Sequence, residues 1–142
     1  MLAQYFELLQ AHASAEEMRE TILTADFETG FEDGVRWNVD EFLAARAGFV
    51  DERHEVREVS NIIRASANEM RFETRLTFSL RDPGSGDELT GIAHHRWLLR
   101  RSASGEWRVA AQIVKRFEDL NERAAQLFAT PDEGLNWRER RL

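Results

Sequence analysis

The chain has no cysteine among its 142 residues, and it has only two prolines and one tyrosine. Without thiols it forms no disulfide and no cysteine-based zinc or iron–sulfur site, and it has no cysteine nucleophile. No apolar run approaches the roughly 20 residues that a membrane-spanning helix needs. The opening stretch, MLAQYFELLQ, lacks the basic region and apolar core of a signal peptide. We therefore expect a cytoplasmic protein with no membrane partner.

Basic residues are also in deficit, since 19 lysines and arginines oppose 26 aspartates and glutamates and leave a net charge of −7. Phosphate backbones repel such a chain, so we expect no nucleic-acid partner. The zinc motif HExxH, the nucleophile motif GxSxG, the EF-hand loop and the glycine-rich phosphate loop are all missing. We accordingly expect neither a metal nor a cofactor.

The remaining composition is that of an ordinary soluble globular chain, with 42% apolar and 32% charged residues. Its length predicts one domain over residues 1–142. The patterned part runs from about 14 to 117, and a helical extension is expected over 118–142.

The segment Thr90–Phe117 predicts a long β-hairpin on which the rest of the chain packs. Two apolar-rich runs flank the polar turn Ser102–Gly105. Alternating residues ahead of this hairpin predict strands over 25–31, 54–65 and 70–81, with a short return over 35–37.

Helices are predicted from apolar stripes and from capping residues. Ser14 and Glu17 form a capping-box pattern, and Asn38 precedes two acidic residues. Further stripes predict helices over 2–12 and from about 118 to 128. Helices gathered at one end and strands in a run predict the α+β class: a curved antiparallel sheet wrapped over the N-terminal helices, plus a C-terminal helix.

Three phrases, in this order, resemble the nuclear transport factor 2-like superfamily, also called SnoaL-like, with a cystatin-like fold. They are LTADFE at 23–28, DEFL at 40–43, and RWLLRR at 96–101 followed by GEWRV at 105–109. The resemblance spans about Met18 to Val114 and is nearest to small single-domain members of mostly unassigned function. It implies a cone with an internal pocket, and often a dimer through the outer face of the sheet. Its members include isomerases, dehydratases, polyketide cyclases and association domains, so the fold does not choose a function.

The segment His94-His95-Arg96-Trp97 places more chemically versatile side chains together than any other part of the sequence. Strand alternation puts His94 and Arg96 on one face and His95 and Trp97 on the other. The resemblance favours an inward Arg96, and therefore an inward His94. The apolar character of Trp97 favours the opposite assignment. The sequence does not decide between the two, and we prefer the first.

The candidate catalytic residues are Asp26, His94 and Arg96. The resemblance places a catalytic carboxylate near Asp26 in some enzymes, and burial beside apolar rings would raise its pKa and make it a base. His94 is a second candidate acid or base near neutral pH. An inward Arg96 would stabilise an enolate or carboxylate oxygen. Each of the two acid–base candidates is also explained as an ordinary solvated or hydrogen-bonded side chain.

The candidate ligand-binding residues are the aromatic side chains expected on the inner face, together with the second histidine: Trp37, Phe27, Phe72, Trp97 and His95. Buried aromatics are also ordinary core residues. His54 follows a charged helix-to-strand segment and is expected to be exposed.

Three functions remain open. The first is a homodimer that binds an unidentified small organic molecule in an apolar pocket. The second is a cofactor-free enzyme of the isomerase, dehydratase or polyketide-cyclase kind. The third is an association module without ligand, whose interface would surround His95, Trp97 and Arg108 on the outer sheet face.

Overall fold

The structure, a computed structural model, describes residues 1–32, 34–82 and 84–129. The helices are α1 (Leu2–Gln10), α2 (Ala15–Thr21), α3 (Val39–Ala45) and α4 (Glu122–Ala124), the last followed by a π-helical turn (Ala125–Ala129). The strands are β1 (Leu23–Phe31), β2 (Arg36–Trp37), β3 (Val50–Ser66), β4 (Glu69–Arg81), β5 (Glu88–Arg101) and β6 (Trp107–Glu118). The predicted α+β class is confirmed.

The six strands form one curved, unclosed sheet in the order β2-β1-β6-β5-β4-β3. All neighbouring pairs are antiparallel except β1 and β6, which run parallel, with Thr29 opposite Gln112. The expectation of a purely antiparallel sheet is therefore wrong at this one pair. The two strands lie at opposite ends of the sequence, and alternation within each strand says nothing about such a pairing.

The predicted hairpin of β5 and β6 is present, and its irregularities bend the sheet. The register shifts between His94 and His95 and again between Leu98 and Leu99, so β6 holds an extra residue at each point. An extra residue on one strand kinks that strand and increases its twist. These bulges lie in the middle of the sheet, where they help to give the inner face its concave shape.

The N-terminal helices pack on that concave face. The predicted caps are confirmed: Ser14 accepts the N–H of Glu17 at 3.1 Å, and Asn38 with Glu41 forms a complete capping box. Helix α1 buries Tyr5, Phe6 and Leu9, and α3 buries Val39, Phe42 and Ala45. The cone expected from the resemblance is therefore built from these helices and the inner face of the sheet.

The turn from β1 to β2 depends on Gly30. Its φ is +141°, and a Cβ added there would lie 2.1 Å from the carbonyl oxygen of Val35. Only glycine tolerates both this backbone conformation and this contact. The turn brings Trp37 back over the interior.

The C-terminal region differs from the predicted helix over 118–128. Strand β6 continues through Glu118, and helical structure covers only residues 122–129. Phe128 packs on Phe117 at 5.4 Å between ring centroids and on Phe78 at 6.0 Å, which closes one end of the cone. The rest of the predicted extension, 130–142, lies outside the described residues.

Among the described residues, no helix has the length and apolar character that crossing a bilayer requires.

Candidate functional site

A cavity lies between the concave sheet face and the helices, with a volume of about 80 Å³. Its walls are mainly apolar, and they include Phe6, Leu76, Phe78, Leu80 and Phe117. A buried water needs roughly 10–15 Å³ on this measure, so the space holds several water-sized groups. It therefore suits a small organic molecule in the conformation described.

One end of the cavity is polar because three side chains meet between α3 and β3. Arg46 ends α3, while Glu52 and His54 point the same way from β3. The Arg46 guanidinium donates to a carboxylate oxygen of Glu52, and His54 Nε2 lies 3.1 Å from Oε2 of the same group. The side chains of Arg46 and Glu52 are 8% and 0% exposed.

The Glu52 carboxylate stays ionised in this environment. Burial acts to raise its pKa, but the hydrogen bond from His54 and the charge of Arg46 outweigh it, so the pKa is lowered overall. A carboxylate only accepts hydrogen bonds, so in the neutral ring the proton of His54 lies on Nε2. The other ring nitrogen, Nδ1, then carries a lone pair, and it has no partner among the described residues.

Aromatic neighbours fix the orientation of this polar group. The Phe6 ring stacks on His54 at 4.6 Å and 19°. The Arg46 guanidinium lies over the Phe42 ring, 5.3 Å from its centroid. Both contacts restrict side-chain rotation, so the imidazole and the guanidinium each face the cavity in one defined position.

His95 supplies a second imidazole to the cavity wall, from the middle of β5. It is 6% exposed, and its ring meets Trp97 edge to face at 5.8 Å. It makes no hydrogen bond to any described residue, and its Nδ1 is buried without a partner. Burial, with smaller contributions from His54 and His94, lowers the pKa of His95 from 6.5 to about 3. The ring is therefore neutral near pH 7.

A hydrogen-bonded chain joins α1 to the wall beside His95. The Tyr5 hydroxyl donates to Gln112 Oε1 at 3.2 Å, and the Thr29 hydroxyl donates to the backbone oxygen of Gln112 at 2.7 Å. Burial raises the pKa of Tyr5, although Arg46 nearby acts to lower it. The phenol therefore stays protonated and serves as a fixed donor that positions Gln112.

The predicted catalytic residues do not meet at this cavity. Arg96 Nη1 donates to Glu32 at 2.6 Å, and His94 pairs with Glu118; both side chains point to the outer face. The inward orientation favoured for His94 and Arg96 is therefore wrong. Trp97 and His95 face inward instead, because Trp97 packs its large apolar surface against the rings of α1.

Asp26 is exposed and receives a hydrogen bond from Arg100 at 2.7 Å. The hydrogen bonds from Thr24 and then from Arg100 lower its pKa, whereas a base of the predicted kind needs a raised one. Asp26 thus lacks the buried, apolar surroundings on which its predicted role depends.

The predicted ligand-binding residues divide into two groups. Trp37 and His95 line the cavity. Phe27, Phe72 and Trp97 are buried behind the wall, where Phe72 stacks on Trp97 at 6.1 Å and 12°. The interface predicted around His95 and Trp97 on the outer face is also wrong, since both side chains lie inside.

Sequence reasoning missed Arg46, Glu52, His54 and Gln112. The prediction that His54 is exposed is wrong: its side chain is 11% exposed and lines the cavity. Strand β3 begins at Val50, four residues before the predicted start, and this puts Glu52 and His54 on one face. The alternation of these two residues was the available signal, and the charged neighbours Asp51 and Arg53 concealed it.

No set of three histidine, aspartate or glutamate side chains in the described part of the chain is arranged to hold a metal ion.

Comparison with known proteins identifies solved structures that share this fold. No protein-family model and no curated protein matches the sequence. Solved structures do match, among them a nuclear transport factor 2-like protein of unknown function from Prochlorococcus marinus, at 18% identity over 81% of this chain and 91% of that one, with a TM-score of 0.62. The chain has the nuclear transport factor 2-like fold.

A ketosteroid isomerase-like protein from Erwinia carotovora shares this fold at 16% identity over 78% and 86% of the two chains, with a TM-score of 0.60. A conserved protein from Planctomyces limnophilus matches at 16% identity over 79% and 87%, with a TM-score of 0.64.

Because His95 is buried and neutral, we predict that the protein loses stability at mildly acidic pH. Its pKa is about 3 when folded and 6.5 ordinarily, so between these values only the unfolded chain binds the proton. The free energy of unfolding should fall as pH drops from 6.5 to 4.5, by up to about 1.4 kcal/mol per pH unit from this group. Urea unfolding of His95→Phe should show a shallower decline than the unsubstituted chain.

The exposed His12 provides the control, because His12→Asn removes a histidine from the surface. That variant should keep the slope of the unsubstituted chain. An unchanged slope in His95→Phe would contradict the burial of a neutral imidazole at this position.

Proposed function

We propose that the cavity binds a small organic molecule whose body is apolar and whose polar end meets His54 and His95. The observation that carries the proposal is the pair of buried ring nitrogens, Nδ1 of each histidine, that have no partner among the described residues. A buried polar atom without a hydrogen bond costs about 1–3 kcal/mol, and folded proteins contain few of them. Two on one cavity wall are explained by a ligand that supplies the missing bonds.

The volume of the cavity limits the size of the ligand. The Erwinia carotovora protein with this fold is called ketosteroid isomerase-like. A four-ring steroid does not fit a volume of about 80 Å³. The ligand proposed for this chain is therefore no larger than a single ring or a short branched molecule, and a ring enters only when the helices move slightly apart.

We also propose that two copies of the chain form a homodimer. The outer sheet face carries ion pairs such as Arg96–Glu32 and Lys115–Glu73. Ile62 and Ile63 on β3 are 64% and 58% exposed, which leaves apolar surface at the end of an edge strand. An exposed apolar patch of this kind is typical of an interaction surface, and we propose that a second copy of the chain covers it.

Filling the cavity should abolish binding without disturbing the outer surface. Ala93 is buried and lines the cavity, whereas Ala111 lies on the outer face opposite Leu98. We expect para-cresol to shift the NMR signals of the Leu76 and Leu80 methyl groups in the unsubstituted chain. The Ala93→Leu variant should bind at least about tenfold more weakly, because the added carbons occupy the ligand's space.

The Ala111→Leu variant makes the same change outside the cavity and should bind as the unsubstituted chain does. Equal binding by both variants, or shifts confined to residues away from the cavity, would refute this function.

A second candidate function is cofactor-free proton transfer, and the Glu52–His54 pair favours it. The carboxylate fixes His54 with Nε2 protonated and Nδ1 as a lone pair, the form that a general base requires. An anionic partner also stabilises the imidazolium that forms when the base takes a proton. Glu52 acts here as a positioning residue and His54 as the candidate base.

Exchange of the α-protons of cyclohexanone in D₂O, followed by ¹H NMR, tests this second function. The unsubstituted chain should accelerate exchange, and His54→Asn should lose roughly a hundredfold of that acceleration. Glu52→Gln should lower the rate constant at saturating cyclohexanone while leaving the apparent KM unchanged, since the carboxylate that holds the His54 ring is replaced by an amide that does not touch the substrate. His12→Asn should leave the rate unchanged. Exchange no faster than in buffer, or equally fast with His54→Asn, would eliminate the base.

A further inference from the structure

The charge inside the cavity is already balanced. Arg46 is the one lining residue with a permanent charge among those the structure describes, and Glu52 neutralises it. A ligand carboxylate bound to Arg46 would share it with Glu52 and leave the buried group with a net negative charge. A ligand ammonium would leave it with a net positive charge. A buried charge without a counter-charge is costly, so we expect either ligand to bind at least about tenfold less tightly than an uncharged one.

The unpaired histidine nitrogens specify the polar group that the cavity accepts. In the neutral ring of His54, with Nε2 donating to Glu52, Nδ1 is a lone pair that accepts a hydrogen bond. His95 is neutral and buried, and a neutral imidazole offers one N–H donor and one acceptor. A hydroxyl satisfies both rings when it gives its one hydrogen to His54 and accepts the N–H of His95.

The rest of the wall specifies the body of the ligand. The rings of Phe6, Phe78, Phe117 and Trp37 line the cavity, and they present flat apolar surfaces. Such surfaces pack well against a second ring, in offset or edge-on contact. The volume of about 80 Å³ limits the ligand to one ring at most, and the walls must move apart to admit it, because an engineered cavity that binds benzene has a volume of about 150 Å³.

From these placements we infer that the cavity selects an uncharged ring compound with a hydroxyl group, a phenol or a ring-bearing alcohol, held between His54 and His95, and that it excludes carboxylates and amines of the same size. This inference rests on the proposed function, because it names the ligand class of the same cavity. It assigns His95 the part of a specificity-determining residue: the imidazole is kept neutral and unpaired so that it meets a hydroxyl.

Four probes of nearly equal size test the inference on the unsubstituted chain: benzyl alcohol, toluene, benzoate and benzylamine. Their dissociation constants are measured at pH 7.5 and constant ionic strength, from the NMR shifts of the Leu76 and Leu80 methyl groups. Benzyl alcohol should bind at least about tenfold more tightly than benzoate or benzylamine. It should also bind more tightly than toluene, and His95→Phe should remove most of that advantage over toluene while leaving toluene binding in place.

The outcomes separate the two proposals. If benzoate or benzylamine binds as well as benzyl alcohol, the ligand class is wrong but small-molecule binding stands. If toluene binds as tightly as benzyl alcohol, the hydroxyl specificity is wrong. If none of the four shifts the cavity methyl groups, the proposed function fails and this inference fails with it. The comparison of probes on the unsubstituted chain decides these points even if His95→Phe does not fold.

Discussion

The ion pair between Arg46 and Glu52 is the constraint on which the interior depends. It joins the end of α3 to the start of β3 beneath the sheet, with both side chains almost fully buried. Removing one partner of such a pair leaves an uncompensated charge and costs about 3–5 kcal/mol, so neither residue is stable in place without the other. The pair also fixes His54, through the second hydrogen bond to the same carboxylate. The Glu52 carboxylate therefore links α3, β3 and the His54 ring in the cavity wall.

The hollow itself is a consequence of how the sheet and helices are shaped. Bulges in β6 bend the central strands, and the rings of Tyr5 and Phe6 on α1 meet Trp97 on the inner face at 5.1 and 5.8 Å. These contacts fill one half of the cone with a solid aromatic cluster. The other half, below Leu76 and Ala93, is closed by Phe128 and left incompletely packed. Packed core and cavity thus lie side by side under the same strands, and this explains why Trp97 supports the site without lining it.

Local signals in the sequence predicted most of the architecture. The caps at Ser14 and Asn38 and the alternation along β4 depend only on neighbouring residues, so they could be recognised without a structure. The pairing of β1 with β6 joins Thr29 to Gln112, and no local pattern encodes it.

The site was predicted less well, for a related reason. Alternation in β5 put His94 and His95 on opposite faces but left open which face was inner, because a shift of one residue exchanges the two. Packing of Trp97 against α1 decides it. For His54, β3 begins at Val50, four residues before the predicted start, because a run of charged residues does not show the apolar alternation that indicates a strand.

The account makes one central claim, that the cone encloses a real space below Leu76, Phe78 and Leu80. Diffraction from crystals held under xenon pressure tests it most directly, because xenon enters apolar cavities and its electron density is unmistakable. We expect a xenon atom inside the cone, in contact with these three side chains and with Ala93. An interior without xenon, in which the same side chains touch one another across the space, would contradict the claim.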